Sequence, residues 1–283
     1  MNINFTKMHG CGNDYIYINC FNLDIKDPNK LSAIMSPRHY SVGADGVVLI
    51  LKSDVADAKM RMFNLDGSEG KMCGNAIRCI GKYLYDNKLV NKKEISIETL
   101  SGIKYLKLFI KNDKVEKVSV DMGLASFDPK NIPLLKEKEM INEDCFINNA
   151  NYKITAVSMG NPHAVIYLDE IDNLDLEKIG FVFENNELFP ERVNTEFIKI
   201  VDKNHLEMRV WERGSGETYA CGTGACATVA ASCKNGITNF NEVVYVKLIG
   251  GTLEISCDDY YRITMTGPAT KVYDGVFEYE DQD

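Results

Sequence analysis

The sequence predicts an α+β protein of two pseudo-symmetric domains, each a mostly antiparallel sheet wrapped around a central buried helix. Three observations predict it. The chain has 283 residues, enough for about two domains. A pattern of residues recurs at a fixed offset of 148 positions. Within each half, many short strand-like runs accompany one helical segment after the paired cysteine, and the second of these is small, nearly uncharged and must be buried.

The repeat is read residue by residue. Arg61-Met-Phe-Asn-Leu-Asp-Gly-Ser-Glu-Gly-Lys-Met-Cys-Gly-Asn75 lies on Arg209-Val-Trp-Glu-Arg-Gly-Ser-Gly-Glu-Thr-Tyr-Ala-Cys-Gly-Thr223. Arg61 matches Arg209, Phe63 matches Trp211, Glu69 matches Glu217, and Cys73-Gly74 matches Cys221-Gly222. The same offset carries Gly12-Asn13 onto Gly160-Asn161. One register joining two separate segments points to a duplicated domain, since solenoid periods are much shorter. The halves are placed at 1–122 plus 267–283, carrying Cys73, and at 123–266, carrying Cys221.

In the first half, strands fit 3–7, 15–18, 47–51, 59–63, 95–99, 103–110 and 115–122. Ser101-Gly102 and Asn112-Asp113 supply turns. Asp27-Pro28 marks a helix start, an N-cap followed by proline at the first helical position. In the second half, 154–158, 164–168, 197–201, 206–211, 243–248, 252–257 and 261–266 play the strand parts, with turns at Gly250-Gly251 and Asp258-Asp259. After Cys73, apolar residues at 76, 77, 80, 83 and 84 follow a helical period. After Cys221 the run is small and apolar on every side, and it stops at Asn235-Gly236, a suitable C-cap.

Composition narrows the function. Lys+Arg number 32 against 41 Asp+Glu, a net charge of −9, which argues against a nucleic-acid or anionic-membrane partner. Hydrophobic residues at 45% and charged residues at 26% suit a full core. No apolar run approaches the roughly 18 residues of a membrane span. The first residues lack the apolar stretch of a signal peptide. A cytoplasmic protein with reduced thiols is therefore expected.

Nine cysteines stand at 11, 20, 73, 79, 145, 221, 226, 233 and 257. The count is odd and no pair has C-x-x-C spacing, which disfavours a disulfide framework or a zinc knuckle. Most read as small buried hydrophobes. Cys73 and Cys221 differ, because each stands at the start of a buried helix. There the first N–H groups lack intrahelical partners and, with the helix dipole, stabilise an anion. Both thiol pKa values should fall. A substrate carboxylate could dock on the N–H groups of Gly74-Asn75 and Gly222-Thr223.

A Cys-Gly at one helix start is a weak signal; its duplication is what carries weight. Two thiols on opposite sides of one carbon suit inversion, one thiolate removing a proton while the other thiol delivers one. The helix N–H groups would hold the charge developing on the adjacent carboxylate.

Met8-His-Gly-Cys-Gly-Asn-Asp14, Asn64-Leu-Asp-Gly-Ser-Glu69, Met72-Cys-Gly-Asn-Ala-Ile-Arg78, Gly160-Asn-Pro-His163, Arg192-Val-Asn-Thr-Glu-Phe197, Trp211-Glu-Arg-Gly-Ser-Gly-Glu-Thr218 and Ala220-Cys-Gly-Thr-Gly-Ala225 resemble the motifs of the diaminopimelate epimerase family. The resemblance continues through Thr266-Gly-Pro-Ala269 and Val272-Tyr-Asp-Gly-Val276, covering nearly the whole chain. It implies a cofactor-independent isomerase interconverting LL- and meso-2,6-diaminopimelate, a step toward lysine and peptidoglycan precursors.

Carried over by motif, Cys73 and Cys221 are the acid/base pair. Cys221 accepts the proton in the LL-to-meso direction and Cys73 donates; the roles swap in reverse. The resemblance makes His163 and Glu212 the residues that tune the thiols. It makes Asn13, Asn64, Asn161, Asn194, Glu212 and Arg213 substrate-holding residues. Arg213 can pair a carboxylate bidentately, and amides can meet both ends of an amino acid. On residues alone these asparagines also read as turn residues, His163 as a cleft-wall histidine and Glu212 as a surface carboxylate.

Where some family members carry a glutamine, this chain has Gly46, which can offer only its backbone. Cys11 reads as structural or incidental. The resemblance also implies a homodimer, with Tyr273 like a dimer-contact residue. Neither metal nor pyridoxal phosphate is expected, since ligand spacing and a recognisable Schiff-base lysine are both lacking. The nearest rivals are a proline racemase or hydroxyproline epimerase. A thiol redox or metal-binding protein is the rival from another class.

Overall fold

A computed structural model describes residues 1–279 of the chain. The chain divides into two units, Met1–Val120 together with the segment starting at Gly267, and Asp121–Thr266. Residues 280–283 of the expected segment 267–283 lie outside the described residues.

The first unit runs β1 (Asn2–Gly10), β2 (Asn13–Asn19), α1 (Pro28–Met35), β3 (Gly46–Leu51), β4 (Ala58–Asn64), β5 (Glu69–Gly70), α2 (Gly74–Asp86), β6 (Glu94–Thr99), β7 (Gly102–Lys111) and β8 (Lys114–Leu124). The second runs β9 (Glu143–Ile147), β10 (Ala150–Ser158), β11 (Pro162–Tyr167), α3 (Leu176–Glu184), β12 (Asn194–Asp202), β13 (His205–Glu212), β14 (Gly216–Glu217), α4 (Gly222–Lys234), β15 (Val243–Leu248), β16 (Gly251–Cys257) and β17 (Arg262–Pro268). The last strand, β18 (Thr270–Glu278), returns to the first unit and pairs with β1.

Strand order is the same in both. In the first unit it is β18-β1-β2-β3-β4-β6-β7-β8, with β2–β3 and β4–β6 parallel and the rest antiparallel. In the second it is β9-β10-β11-β12-β13-β15-β16-β17, with β11–β12 and β13–β15 parallel. The offset of 148 carries α2 onto α4 at both ends and β1 onto β10 at both ends. The fold is the mostly antiparallel α+β arrangement read from the sequence.

Local chemistry explains the elements. The β1–β2 hairpin turns on Cys11 and Gly12, both at positive φ (55° and 81°), a two-residue turn whose twist matches the strands. Cys11 holds that conformation despite its side chain and is buried, a structural role. Asn112 and Asp113 turn β7 into β8 the same way, at φ 51° and 56°. Asp27 caps α1 by accepting from Lys30 N–H, with Pro28 at the first helical position. Asp175 caps α3 by accepting from Lys178 N–H.

The central helices are enclosed. α2 packs on β1, β2 and β7, burying Ile77, Ile80 and Leu84, each worth about 1.5–3 kcal/mol. α4 packs on β10, β11, β12 and β16, and every residue from Gly224 to Cys233 is buried. Its alanines, cysteines, serine and threonine let the sheet close round it tightly. Arg78 is also fully buried in α2. Its guanidinium donates to the carbonyls of Gly74 and Pro268 and to Asn75 Oδ1, which ties the returning C-terminal segment to the helix.

Among the elements that escaped the sequence reading, β5 and β14 have only 2 residues each. β18 is exposed along most of its length, so it shows no alternation to detect. β9 has only 5 residues. α3 contains Gly180 and an irregular apolar pattern, which hides its period.

The caps give the first prediction. Asp27→Ala and Asp175→Ala should each cost about 1 kcal/mol. In thermal unfolding followed by circular dichroism the midpoint should drop by about 2–4 °C. An unchanged midpoint would show that the caps add nothing.

Candidate active site

Each paired cysteine is the N-cap of its unit's buried helix. Cys73 precedes α2 at φ −130° and ψ 123°, and Cys221 precedes α4 at φ −106° and ψ 109°. The first intrahelical bonds are Ile77 N–H to Cys73 O at 2.9 Å and Ala225 N–H to Cys221 O at 3.0 Å. The N–H groups of Gly74-Asn75 and of Gly222-Thr223 precede those bonds, in the positive end of each helix.

In the first unit the Cys73 thiol donates to Asn13 Oδ1 at 3.3 Å. Asn13 Nδ2 donates to Asp45 at 2.7 Å, so the amide oxygen is aimed at the sulfur. Arg38 in turn bonds Asp14 and Asp45. Asn64 ends β4, and its amide donates to Ser68 Oγ at 3.0 Å within the following turn. The Asn75 side chain is turned inward to Arg78, so only its backbone serves the helix end. Gly46 is buried and pairs with Asn64 and Tyr15. A Cβ there would sit 2.0 Å from the Phe63 carbonyl oxygen, so a side chain would require this part of the sheet to shift.

The second unit carries charge instead. Cys221 Sγ accepts from Gly224 N–H at 3.3 Å and lies 3.5 Å from Thr223 Oγ1. Asn161 Nδ2 donates to Thr223 Oγ1 at 3.4 Å, and Asn161 Oδ1 lies 3.0 Å from His163 Nε2. His163 Nδ1 is 2.7 Å from Glu196 Oε1, with both side chains fully buried. Glu212, at the end of β13, accepts from Thr218 Oγ1 and from the Cys221 thiol. Asn194 takes the Arg213 N–H on its oxygen at 2.9 Å and donates to Pro162 O at 2.9 Å. It therefore fixes the backbone that presents Arg213. The Arg213 guanidinium donates to Glu191 O at 2.8 Å, and among the described residues no carboxylate pairs with it.

The acid–base balance departs from the sequence reading at Cys221. The helix-end argument expects its thiol to be lowered, but burial pushes it well above its ordinary range, and the nearby Glu212 and Glu196 push it further. Desolvation and two carboxylates outweigh the dipole and the hydrogen bonds of Thr223 and Gly224. Glu212 is itself raised, by burial first, against the bonds from Thr218 and Cys221 that lower it. Burial thus raises both members of the Cys221–Glu212 pair above their ordinary values. Among the described residues no cluster of three or more His, Cys, Asp or Glu side chains is arranged to hold a metal ion.

The family model described as diaminopimelate epimerase matches residues 5–127 and 155–272. A diaminopimelate epimerase from Methanococcus maripaludis is 53% identical over 273 residues, 96% of this chain and 98% of the relative. One from Acetivibrio thermocellus is 51% identical over 273 residues, covering 96% and 97%. The chain belongs to the diaminopimelate epimerase family. It is an isomerase of the epimerase class. Its fold is shared more widely: the crystal structure of a probable proline racemase from Agrobacterium radiobacter superposes with a TM-score of 0.71 at 15% identity, covering 99% of this chain and 93% of that one.

Beside the residues expected from the sequence, the structure places Glu196 against His163 Nδ1, which the residue reading did not single out. The signal was there: a glutamate inside the run Thr195-Glu196-Phe197-Ile198 breaks what otherwise reads as a buried strand.

The titrations give the second prediction. In ligand-free protein, alkylation of Cys221 followed by peptide mass spectrometry should have its pH midpoint above the ordinary 9.0. A midpoint below 9.0 would contradict the burial argument. Because the folded-state pKa of Glu212 is raised, its contribution to stability is complete below the ordinary 4.5 and is lost as pH rises through the folded value. Glu212→Gln should therefore melt higher than the parent at neutral pH, with the gap closing below 4.5.

Proposed function

We propose that this chain interconverts LL- and meso-2,6-diaminopimelate by a two-base mechanism without a cofactor, in lysine and peptidoglycan precursor synthesis. The observation that carries the reading is the matched pair of cysteine N-caps on helices of 13 residues each. Family membership at about half identity supplies the substrate.

In the LL-to-meso direction, the Cys221 thiol first gives its proton to Glu212, the carboxylate it already contacts. An incoming substrate ammonium favours this charge separation. The Cys221 thiolate then takes the α-hydrogen as a proton. The C–H electron pair moves into the neighbouring carboxylate, whose oxygens the N–H groups of Gly74-Asn75 and Gly222-Thr223 stabilise. Cys73 delivers its thiol proton to the opposite face, and the two thiols exchange roles in reverse. His163 tunes this chemistry beside Glu212. Arg213 takes the distal carboxylate bidentately. Asn13, Asn64 and Asn161 meet the ammonium and carboxylate groups, with Asn194 holding the Arg213 loop and Gly46 offering backbone only.

Two further parts belong to this reading. A cytoplasmic setting agrees with nine cysteines in the thiol form. A homodimer through Tyr273 agrees with β18, where Val272, Tyr273 and Val276 are exposed at 55%, 43% and 62%.

The test is solvent-deuterium incorporation at the α-carbon from LL-diaminopimelate. The unmodified enzyme should give deuterated meso product. Cys73→Ala and Cys221→Ala should each lose epimerisation by at least about 100-fold. Arg213→Ala should collapse kcat/KM on diaminopimelate. Full activity in either cysteine variant would overturn the mechanism, and an intact Arg213→Ala would overturn the substrate assignment.

A further inference from the structure

One buried titratable group has no part in the chemistry above. Glu196 lies in β12 between two fully buried neighbours, and its own side chain is fully buried. One oxygen meets His163 Nδ1 at 2.7 Å. The other, Oε2, has no hydrogen-bond partner among the described residues. A buried carboxylate with one unpaired oxygen costs stability.

The pair is not required by the fold. At the equivalent places of the first unit, at the offset of 148, Val48 stands for Glu196 and Tyr15 for His163. Val48 and Tyr15 are equally buried, at 0% and 5% exposure, within the same parallel pairing of strands. An apolar side chain therefore satisfies this position of the sheet. The second unit has a charge where the first has a methyl pair.

What the charge reaches is a continuous chain. Glu196 holds His163 Nδ1, His163 Nε2 faces Asn161 Oδ1 at 3.0 Å, Asn161 Nδ2 meets Thr223 Oγ1, and Thr223 Oγ1 lies 3.5 Å from Cys221 Sγ. Both ring nitrogens face oxygen acceptors, the geometry of an imidazole that donates twice. The Glu196 carboxylate takes the Nδ1 side of the ring and the Asn161 amide oxygen the Nε2 side. The fit is close, because a Cβ on Gly224 would stand 2.6 Å from Glu196 Oε1 and 3.2 Å from Cys221 Sγ. Only glycine at 224 leaves room for the carboxylate against the first turn of α4.

We propose that Glu196 is a positioning residue of the Cys221 half-site. It orients His163 through Nδ1, fixes which end of the Asn161 amide faces the ring, and so sets the hydroxyl of Thr223 against the thiol. The inference rests on the epimerase reading for its kinetic arm only. Besides Glu196 and His163, the titratable groups of this cluster are Cys221 at the start of α4 and Glu212 at the end of β13, and each feels Glu196.

The experiment compares the parent with Glu196→Gln, which keeps the shape, and Glu196→Val, which copies the first unit. Proton–nitrogen NMR of His163 is read without substrate. The parent should show a downfield Nδ1–H resonance that Glu196→Gln shifts and Glu196→Val abolishes. With substrate, kcat should drop by about 10-fold or more, KM should change little, and a limb of the pH–rate profile should move.

A His163 resonance unchanged in both variants would overturn the proposal. So would a loss of kcat with a superimposable pH profile, which marks a purely structural residue. A parent inactive on diaminopimelate would sink the epimerase reading, and the NMR arm would still decide the role of Glu196.

Discussion

The structure depends on one constraint: a helix buried on all sides has only its ends left to meet solvent or a ligand. Wrapping a sheet around α4 buries every residue from Gly224 to Cys233, and in α2 it buries every residue from Gly74 to Gly81. The N-terminal turn then becomes the one place where backbone N–H groups and chemistry can coincide. A cysteine at that N-cap is held by the backbone itself, without a loop of its own to order. This is why a residue as small as cysteine can be placed accurately, and why duplication of the unit duplicates the placement.

The same constraint sets the electrostatics against itself. The helix end favours a thiolate, while the burial that creates the helix end disfavours it. At Cys221 burial prevails, and the nearby carboxylates add to it. In the proposed reaction, the thiolate left when a thiol raised in this way loses its proton is a strong base, which suits removal of a poorly acidic α-hydrogen.

Much of this was legible in the residues. The offset of 148 aligns both helices end to end, because duplication preserves spacing even where side chains diverge. The strand runs were readable wherever one face alternates, as in β15 and β16. β18 was not, because exposure on both faces leaves no period. At the site, residue types were legible but their pairings were not. Asn194 reads as a substrate ligand, yet both its amide oxygen and nitrogen are engaged by backbone. Asn75 likewise turns its side chain to Arg78. The lowered thiol expected at Cys221 failed because a local helix argument sees neither the burial of the thiol nor the carboxylates arriving from β12 and β13.

The two units differ most where they are aligned most closely. Around Cys73 the aligned positions hold Tyr15, Val48 and Asn64; around Cys221 they hold His163, Glu196 and Glu212. The strand order and the helix bounds are the same, so the difference is one of side chains rather than of architecture. The Cys73 thiol donates to an amide oxygen, that of Asn13, and the Cys221 thiol to a carboxylate, that of Glu212. Duplication supplied two equivalent sulfur positions, and divergence of three neighbours placed carboxylates near Cys221, where they add to burial in raising its thiol.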